Sequence, residues 1–332
     1  MENNIQILNY SAHAIDEFVA LIPTIKKGMP GIIKGHESVV RNLRESVKFL
    51  LPNGCELIDI SDLKQVHIDM ARLPYDIVAL EAPWILGDGA GGDKGIERAS
   101  KRISLCMRMT PAIAMSFPDT ARFLDEELGG VCVLPIFWSD SQSRWKLSMG
   151  GVFIPYENEV SAYTPSEVSE PTRLVNQPLI EAGLAPKKVR QFKVAPFVVL
   201  QEMFDAYANK SGKTEVLAKI ASDARDEVSM LLQTGCVLNC SNVEAETLKV
   251  AESLNKKRKA KGKEPFFVYR VLQVRESQPS TDSSKNGTHA SPRAHLRRGH
   301  IRRVQEKTIW VRPALINAGS KTGAVEKVYK IS

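Results

Sequence analysis

Strict alternation of apolar and polar residues over Lys101–Met109 constrains the fold of this chain more than any other feature. Successive side chains of a strand point to opposite faces, so this period of two predicts a strand that packs one face on a core. That face would carry Ile103, Leu105, Met107 and Met109. Two further strand-like runs, Val131–Trp138 and Arg144–Tyr156, flank a five-residue polar segment that is typical of a hairpin loop.

Helical periodicity surrounds these strands. Apolar residues recur at spacings of three, four and seven in several segments, which is the pattern of an amphipathic helix. The predicted helices are His36–Leu51, Asp62–Leu73, Val198–Tyr207, Thr214–Leu232 and Val243–Arg258. The further predicted strands are Asp76–Ala82, Phe266–Val274, Ala294–Val304, Thr308–Ile316 and Val325–Ile331. Together they predict an α+β fold, with helices packed on a mostly antiparallel sheet and a small basic C-terminal β-meander.

The chain is long enough for about two domains, and its composition changes along its length. Residues 161–192 are polar and contain several prolines, which favours a connecting region. The predicted segments are an N-terminal α+β domain over 1–160, the connecting region over 161–192, a helical segment over 193–262 and a basic C-terminal β-module over 263–332.

Charge is divided sharply between the two parts of the chain. Residues 1–255 hold 26 basic and 33 acidic side chains, whereas residues 256–332 hold 19 basic and 5 acidic ones. This asymmetry points to a polyanionic partner, most often nucleic acid. Alternatively, the basic part neutralises acidic groups of its own body or of a partner protein, or it lies against a membrane surface.

Several classes of protein do not fit the sequence. No stretch has the roughly 18 apolar residues of a membrane helix, and the N-terminus lacks the pattern of a secretory signal. The 5 cysteines are an odd number and widely spaced, which favours buried thiols in a reducing cytoplasm over a disulfide framework. We therefore expect a cytoplasmic protein, and we expect no cofactor.

The densest group of chemically useful side chains lies in the segment from Ser291 to Arg303, where three of the 6 histidines fall within a dozen residues when counted from His289. Imidazoles transfer protons near neutral pH, and arginine binds phosphate oxygens with two donors. The candidate catalytic residues for a metal-independent, ribonuclease-like cleavage are His295, His300 and Arg298. His295 and His300 are five positions apart, so on one strand they converge only if Gly299 lies in a bulge or turn.

Binding without catalysis is the simpler interpretation of the same segment, and whether the protein is an enzyme stays open. The candidate nucleic-acid-binding residues are Arg293, Arg297, Arg302, Arg303, Lys257, Arg258, Lys259 and Trp310. The basic run that contains Lys257 is weaker support, because cations at the end of a helix also stabilise its dipole. Trp310 could stack on a base, although a core role is the more common one for tryptophan.

Two other motifs have competing interpretations. Cys236 and Cys240 together with His295 and His300 have the pairwise spacings of a zinc site, but the 54 residues between the pairs far exceed those of a compact finger. The glycines of Gly87–Gly92 match a dinucleotide-binding pattern, yet no predicted helix follows, so a flexible hairpin loop is the better interpretation.

The chain resembles a family of uncharacterised bacteriophage and prophage proteins. The resemblance lies in the stretch Leu73–Glu81, in the element His-Leu-Arg-Arg-Gly-His-Ile-Arg that begins at His295, and in Ile309-Trp-Val-Arg-Pro. It implies expression in a bacterial cytoplasm and a role in phage–host conflict or phage nucleic-acid handling, but it supplies no catalytic residues.

The sequence thus supports two hypotheses. The first is a phage-type protein that binds RNA or a single strand, with or without metal-independent ribonuclease-like chemistry at the C-terminal His/Arg cluster. The alternative is a non-enzymatic anti-defence inhibitor or adaptor that binds a host defence protein. The sequence does not predict the oligomeric state.

Overall fold

The computed structural model describes residues 7–60, 63–85, 99–162, 190–274, 295–297, 300–304, 307–311 and 314–316, the segments from 295 onward as backbone. The helices are α1 Tyr10–Leu21, α2 Pro30–Glu45, α3 Gln65–Asp69, α4 Pro111–Ser116, α5 Gln201–Ser211, α6 Lys213–Asp223, α7 Arg225–Leu238 and α8 Glu252–Ala260. In this part of the chain, none of the helices combines the length and the apolar character needed to cross a bilayer.

The strands of the same residues are short, apart from those at the centre of the sheet. The first nine are β1 Val47–Leu50, β2 Ile77–Pro83, β3 Lys101–Arg108, β4 Gly130–Ser139, β5 Arg144–Leu147, β6 Gly150–Pro155, β7 Ser161–Ala162, β8 Arg190–Gln191 and β9 Ala195–Val198. The others are β10 Val243–Leu248, β11 Tyr269–Val274, β12 His295–Arg297, β13 His300–Val304, β14 Lys307–Val311 and β15 Ala314–Ile316.

One mixed sheet of nine strands organises the described residues. Its order is β10-β11-β1-β2-β3-β4-β6-β9, and β5 pairs with β4 outside that path. Strand β1 is parallel to both β11 and β2, while every other neighbouring pair in the sheet is antiparallel. The predicted α+β class, with a mostly antiparallel sheet, is therefore confirmed.

Both faces of the sheet are covered, which explains why its central strands are buried throughout. Helices α1 and α2 cover one face, where Phe18 and Leu43 pack on the alternate residues of β3 that begin at Ile103. Helix α7 covers the opposite face, where Leu231 packs with Cys106. Burying both faces removes far more apolar surface from water than a one-sided sheet would, at roughly 25 cal/mol per Å².

The helix predicted over His36–Leu51 has a different extent in the structure. It begins earlier, at Pro30, and ends at Glu45, and β1 follows directly. Proline is favoured in the first turn of a helix because its missing N–H needs no partner there. The apolar residues of β1 also fit the helical spacing, because a strand that is buried between two others is apolar as well. The predicted helix therefore extends too far.

The helix predicted over Val243–Arg258 is wrong for its first half. Val243–Leu248 is strand β10, which pairs antiparallel with β11, and only Glu252–Ala260 is helical. In β10, valine and alanine alternate with two glutamates. This period of two suits a strand that pairs with a neighbour. The two acidic residues therefore lie in a strand and are not the first turn of a helix.

Two other predicted helices are divided. Thr214–Leu232 is covered by α6 and α7, which meet at Ala224, and the segment predicted as helix from Val198 begins as the end of β9. Val198 and Phe204, on either side of the second break, pack in one cluster, which also receives Val216 and Ile220 of α6, whereas Leu231 of α7 packs in another.

The predicted C-terminal module is divided in the structure. Its later strands pair with one another, whereas its first strand belongs to the main sheet. β11, which falls within the predicted module of residues 263–332, lies inside the main sheet between β10 and β1. β13 pairs with β14 and β12 with β15, both antiparallel, as a meander requires. The predicted strand Val325–Ile331 and most of the predicted connecting region lie outside the described residues, and the four predicted segment boundaries stay predictions.

Candidate functional site

The predicted C-terminal site is described only in its backbone. Arg293 and Arg298 lie outside the described residues. The other predicted residues of this segment lie in strands: His295 and Arg297 in β12, His300, Arg302 and Arg303 in β13, and Trp310 in β14. Their catalytic and binding roles stay predictions.

The backbone register bears on whether His295 and His300 share a cleft. His295 pairs with Ile316 on one side of the interruption, and His300 pairs with Val311 on the other. Two residues separate the paired segments on each strand, so the register is the same on both sides. Gly299, which would have to lie in a bulge or turn for the two histidines to converge, is outside the described residues, so their convergence stays a prediction.

The basic run at the end of the predicted helical segment lies in α8. Lys257 and Lys259 are exposed, whereas Arg258 is turned toward the body of the molecule. An Arg258 terminal nitrogen lies 2.5 Å from an Asp16 carboxylate oxygen, and its Nε donates to the backbone oxygen of Glu264. Arg258 is thus already paired within the molecule, while the two neighbouring lysines extend into solvent.

The structure also shows a groove that the sequence patterns did not predict. It lies between α2, α4 and the ends of β1, β2 and β3, and its volume is about 1070 Å³. We call it the α2–α4 groove. Its charged lining residues are Lys34, Glu37, Arg41, Glu45, Asp76 and Arg108.

Side-chain hydrogen bonds hold the walls of the α2–α4 groove together. Ser38 Oγ donates to the backbone oxygen of Ser116 at 2.8 Å, and Arg41 donates to the Ser116 hydroxyl at 2.9 Å. On the opposite wall, Arg108 pairs with Asp76 at 3.2 Å. Helix α4 is N-capped by Thr110, whose side-chain oxygen accepts from the backbone N–H of Ile113.

Apolar side chains at the α2–α4 groove are open to solvent. Met115 is 77% exposed, and Tyr75 is 36% exposed with the Arg270 guanidinium 5.2 Å from its ring centre. Methionine, tyrosine and arginine are enriched in protein interfaces. Tyr75 and Asp76 belong to the stretch Leu73–Glu81, which carries part of the family resemblance described above. That stretch is the sequence feature that coincides with the groove.

A buried carboxylate, Glu81, links the groove-bearing half of the sheet to α1. It accepts from the backbone N–H groups of Tyr10 and Ser11 at 2.8 and 2.9 Å and from the Tyr269 hydroxyl at 2.8 Å. Burial raises the pKa of Glu81, although the hydrogen bonds from Ser11, Tyr269 and Tyr10 oppose the rise. All four groups are engaged with one another, so this cluster positions α1 and is not open to a substrate.

A second buried carboxylate, Glu227, lies on the other face of the sheet. Its Oε1 accepts from Arg102 at 2.9 Å, and Asp226 pairs with the same guanidinium. Burial raises the pKa of Glu227 to about 7, although the Arg102 charge opposes the rise. Glu227 Oε2 and Arg102 Nε have no hydrogen-bond partner among the described residues.

The cysteines support a structural role. All five are free and buried, as predicted. Burial raises the pKa of Cys236 to about 12 and that of Cys240 to about 11, so both are protonated thiols at neutral pH in the metal-free protein. Within the described residues, no group of three or more His, Cys, Asp or Glu side chains could hold a metal ion. The glycine-rich segment Gly87–Gly92 lies outside those residues.

Comparison with known proteins gives one match. Neither the curated proteins nor the solved structures contain a match to this chain. A family model, described as AcrVA2-like, anti-CRISPR type V subtype A2, matches residues 52–318. The match covers most of the chain and includes β2, β3, α4 and the C-terminal hairpin strands. The chain therefore belongs to the AcrVA2-like family of anti-CRISPR proteins.

Proposed function

We propose that this protein counteracts a type V CRISPR system by binding one of its protein components in the α2–α4 groove. Family membership over residues 52–318 is the observation that carries the anti-CRISPR part of the proposal. It favours the alternative of an anti-defence inhibitor over a nucleic-acid-binding protein of general function. Such an inhibitor would act in the cytoplasm of the infected bacterium, where CRISPR immunity operates.

The charge of the groove supports a protein as its occupant. Three cationic and three anionic side chains line it, so its formal charge is balanced. Nucleic acid selects surfaces with a large excess of cations, because its affinity comes mainly from phosphate contacts. Mixed charges around exposed methionine and tyrosine instead match the polar rim and apolar centre of a protein–protein interface.

Binding alone accounts for inhibition at such a site. At the groove, Asp76 and Arg108 are paired with each other, and the buried carboxylate of Glu81, on the strand whose start lines the groove, is occupied by its own partners. Catalysis at His295 and His300 stays a prediction of the sequence, as does nucleic-acid binding by the arginines of the C-terminal segment.

The test is an inhibition assay in bacteria that carry an active type V CRISPR system and are challenged with a targeted phage. Met115→Lys places a charge at the groove on a side chain that is 77% exposed, so the fold should tolerate it. We expect this variant to lose protection of the phage and to bind the purified effector protein of that system at least about tenfold more weakly, as loss of an interface anchor does.

Leu128→Lys is the matched control, because Leu128 is an exposed apolar residue, at 59%, outside the groove. It should leave both protection and binding unchanged. Binding should survive nuclease treatment of both proteins. Equal inhibition by the Met115 and Leu128 variants would exclude the groove as the inhibitory surface.

A further inference from the structure

Helix α8 contributes nothing to the hydrophobic core. None of its nine residues, Glu252–Ala260, is buried. A short helix usually owes its stability to an apolar face packed on its neighbours. We therefore expect the role of α8 to depend on the side chains that it presents to solvent.

Polar contacts nevertheless fix α8 firmly to the molecule. Asp16 of α1 binds both the Arg258 guanidinium and the backbone N–H of Glu264, the latter at 2.7 Å. Asn255 donates to the backbone oxygen of Phe266 at 3.0 Å and accepts from its N–H at 2.8 Å. The Arg258 guanidinium also lies 4.1 Å from the centre of the Phe266 ring. The position of the helix is thus set by side chains on one of its faces.

The remaining cations point away from that face. Six cations and two carboxylates lie in the segment 252–264. At 100° per residue, Lys256, Lys257 and Lys259 fan out on the side of α8 opposite Arg258. Lys261 and Lys263 follow on a turn that ends the helix, where Gly262 has a φ of 64°. We call these five residues the α8 lysine patch.

The lysines of the α8 patch are available to a partner. All five are exposed, and no ion pair of theirs is formed within the part of the chain that the structure describes. Asp16 and Glu264, two carboxylates beside the patch, are already paired with Arg258 and Arg44, and Glu252, one turn before Lys256, forms no ion pair among the described residues. Stabilisation of the helix dipole needs only one or two cations in the last turn and does not account for five.

The local field is positive on the adjacent turn of α1 as well. Burial is the first cause that lowers the pKa of His13, and the charges of Arg258, Lys101 and Lys263 lower it further, while Asp16 opposes them. The charges at the end of α8 thus reach His13 of α1.

We propose that the α8 lysine patch binds the phosphate backbone of a nucleic acid, without reading its sequence. Lysine is a flexible point charge that suits phosphate contacts. Protein interfaces are instead depleted in lysine and enriched in aromatic residues and arginine, and the patch has neither among its five side chains. This goes beyond the groove and gives the protein a second surface for a different class of partner.

The test measures binding of the full chain to a fluorescently labelled 20-nucleotide RNA, and to duplex DNA of the same sequence, by anisotropy at several salt concentrations. Five phosphate contacts to a single strand predict a slope of log affinity against log salt of about −3.5, or about a 100-fold loss between 50 and 200 mM salt. The variant K256Q/K257Q/K259Q should weaken RNA binding at least tenfold and make that slope shallower by about 2.

Three exposed lysines elsewhere, Lys26, Lys27 and Lys210, provide the matched control. The variant K26Q/K27Q/K210Q should bind like the natural protein. The variant R297Q/R302Q/R303Q measures the separate contribution of the C-terminal segment. RNA binding with a salt slope that is equal in the K256Q/K257Q/K259Q variant and in the lysine control would overturn the proposal, and so would binding of an acidic protein but of neither nucleic acid.

This result is separable from the groove. Met115→Lys should leave the salt slope unchanged, because Met115 lies at the groove and is not among the side chains that fix α8, which are Asp16, Asn255 and Arg258. Loss of inhibition by Met115→Lys with intact RNA binding supports both proposals. Unchanged inhibition in that variant, with RNA binding lost only in the α8 variant, would refute the groove alone.

Discussion

Two buried carboxylates, one on each face of the sheet, show how single residues hold this fold together. Glu81 receives two backbone N–H groups at the start of α1, where the helix dipole favours a negative charge. Glu227 instead has one guanidinium partner and one oxygen without a partner in the described residues. An oxygen left without a hydrogen bond favours the protonated carboxyl, because burial penalises the charged form.

Glu227 should make stability depend on pH. Its pKa of about 7 lies above the ordinary value of 4.5, so the folded state holds a proton that the unfolded state has released. Its favourable contribution is complete below about pH 4.5 and is lost as the pH rises to about 7. Relative to Glu227→Gln, the natural protein should lose about 3 kcal/mol of unfolding free energy between pH 4.5 and 8. Urea unfolding of both proteins measures this difference, and a difference that stays constant with pH would contradict it.

At the scale of elements, pairing decided what periodicity left ambiguous. The strands over Asp76–Ala82 and Lys101–Met109 were predictable, since short alternating or continuous apolar runs between polar segments are typical of strands. Val243–Leu248 was not, because glutamates before an apolar run equally suit a helix start. Only the presence of β11 alongside makes this segment a strand. For α8, the sequence predicts the helix correctly, but its position in the molecule depends on contacts with Asp16.

Asp16→Ala should therefore loosen α8 without unfolding the protein. The variant removes the carboxylate that holds both Arg258 and the Glu264 N–H, and charged hydrogen bonds of this kind contribute roughly 1.5–3 kcal/mol each. Hydrogen exchange of the α8 amides should accelerate at least about tenfold. The rest of the molecule should keep its cooperative unfolding transition, because α8 buries no residue and the lost contacts hold only this helix and the turn after it.

Asp223→Ala is the control for that experiment. Asp223 makes an exposed ion pair with Lys219 in α6, away from α8. Exchange in α8 should be the same as in the natural protein. Equal acceleration in both variants would mean that Asp16 does not fix the helix.

For the whole molecule, the sheet sets the extent of the folded unit. All nine of its strands lie between Val47 and Val274. The predicted boundary at residue 263 would remove β11, which lies between β1 and β10 and supplies Tyr269 to Glu81.

Truncation tests this organisation directly. A chain that ends at Val274 should keep a cooperative thermal transition and its far-ultraviolet circular dichroism. A chain that ends at Gly262 should lose cooperativity, because it leaves β10 without its partner and β1 with one neighbour, and because it removes the buried Tyr269 and its hydrogen bond to Glu81. Cooperative unfolding of the shorter chain would support the predicted boundary instead.

The sequence alone determined the fold class, the central strands, the buried thiols and the concentration of cations after residue 255, because periodicity and charge are properties of the chain itself. The tertiary structure decided the rest. It determined that β11 completes the main sheet, that Arg258 is paired while its neighbouring lysines are open, and that α2 and α4 enclose a groove of balanced charge. Each of these depends on contacts between residues far apart along the chain, and the spacing of residues in one segment carries no record of which distant segment will lie beside it.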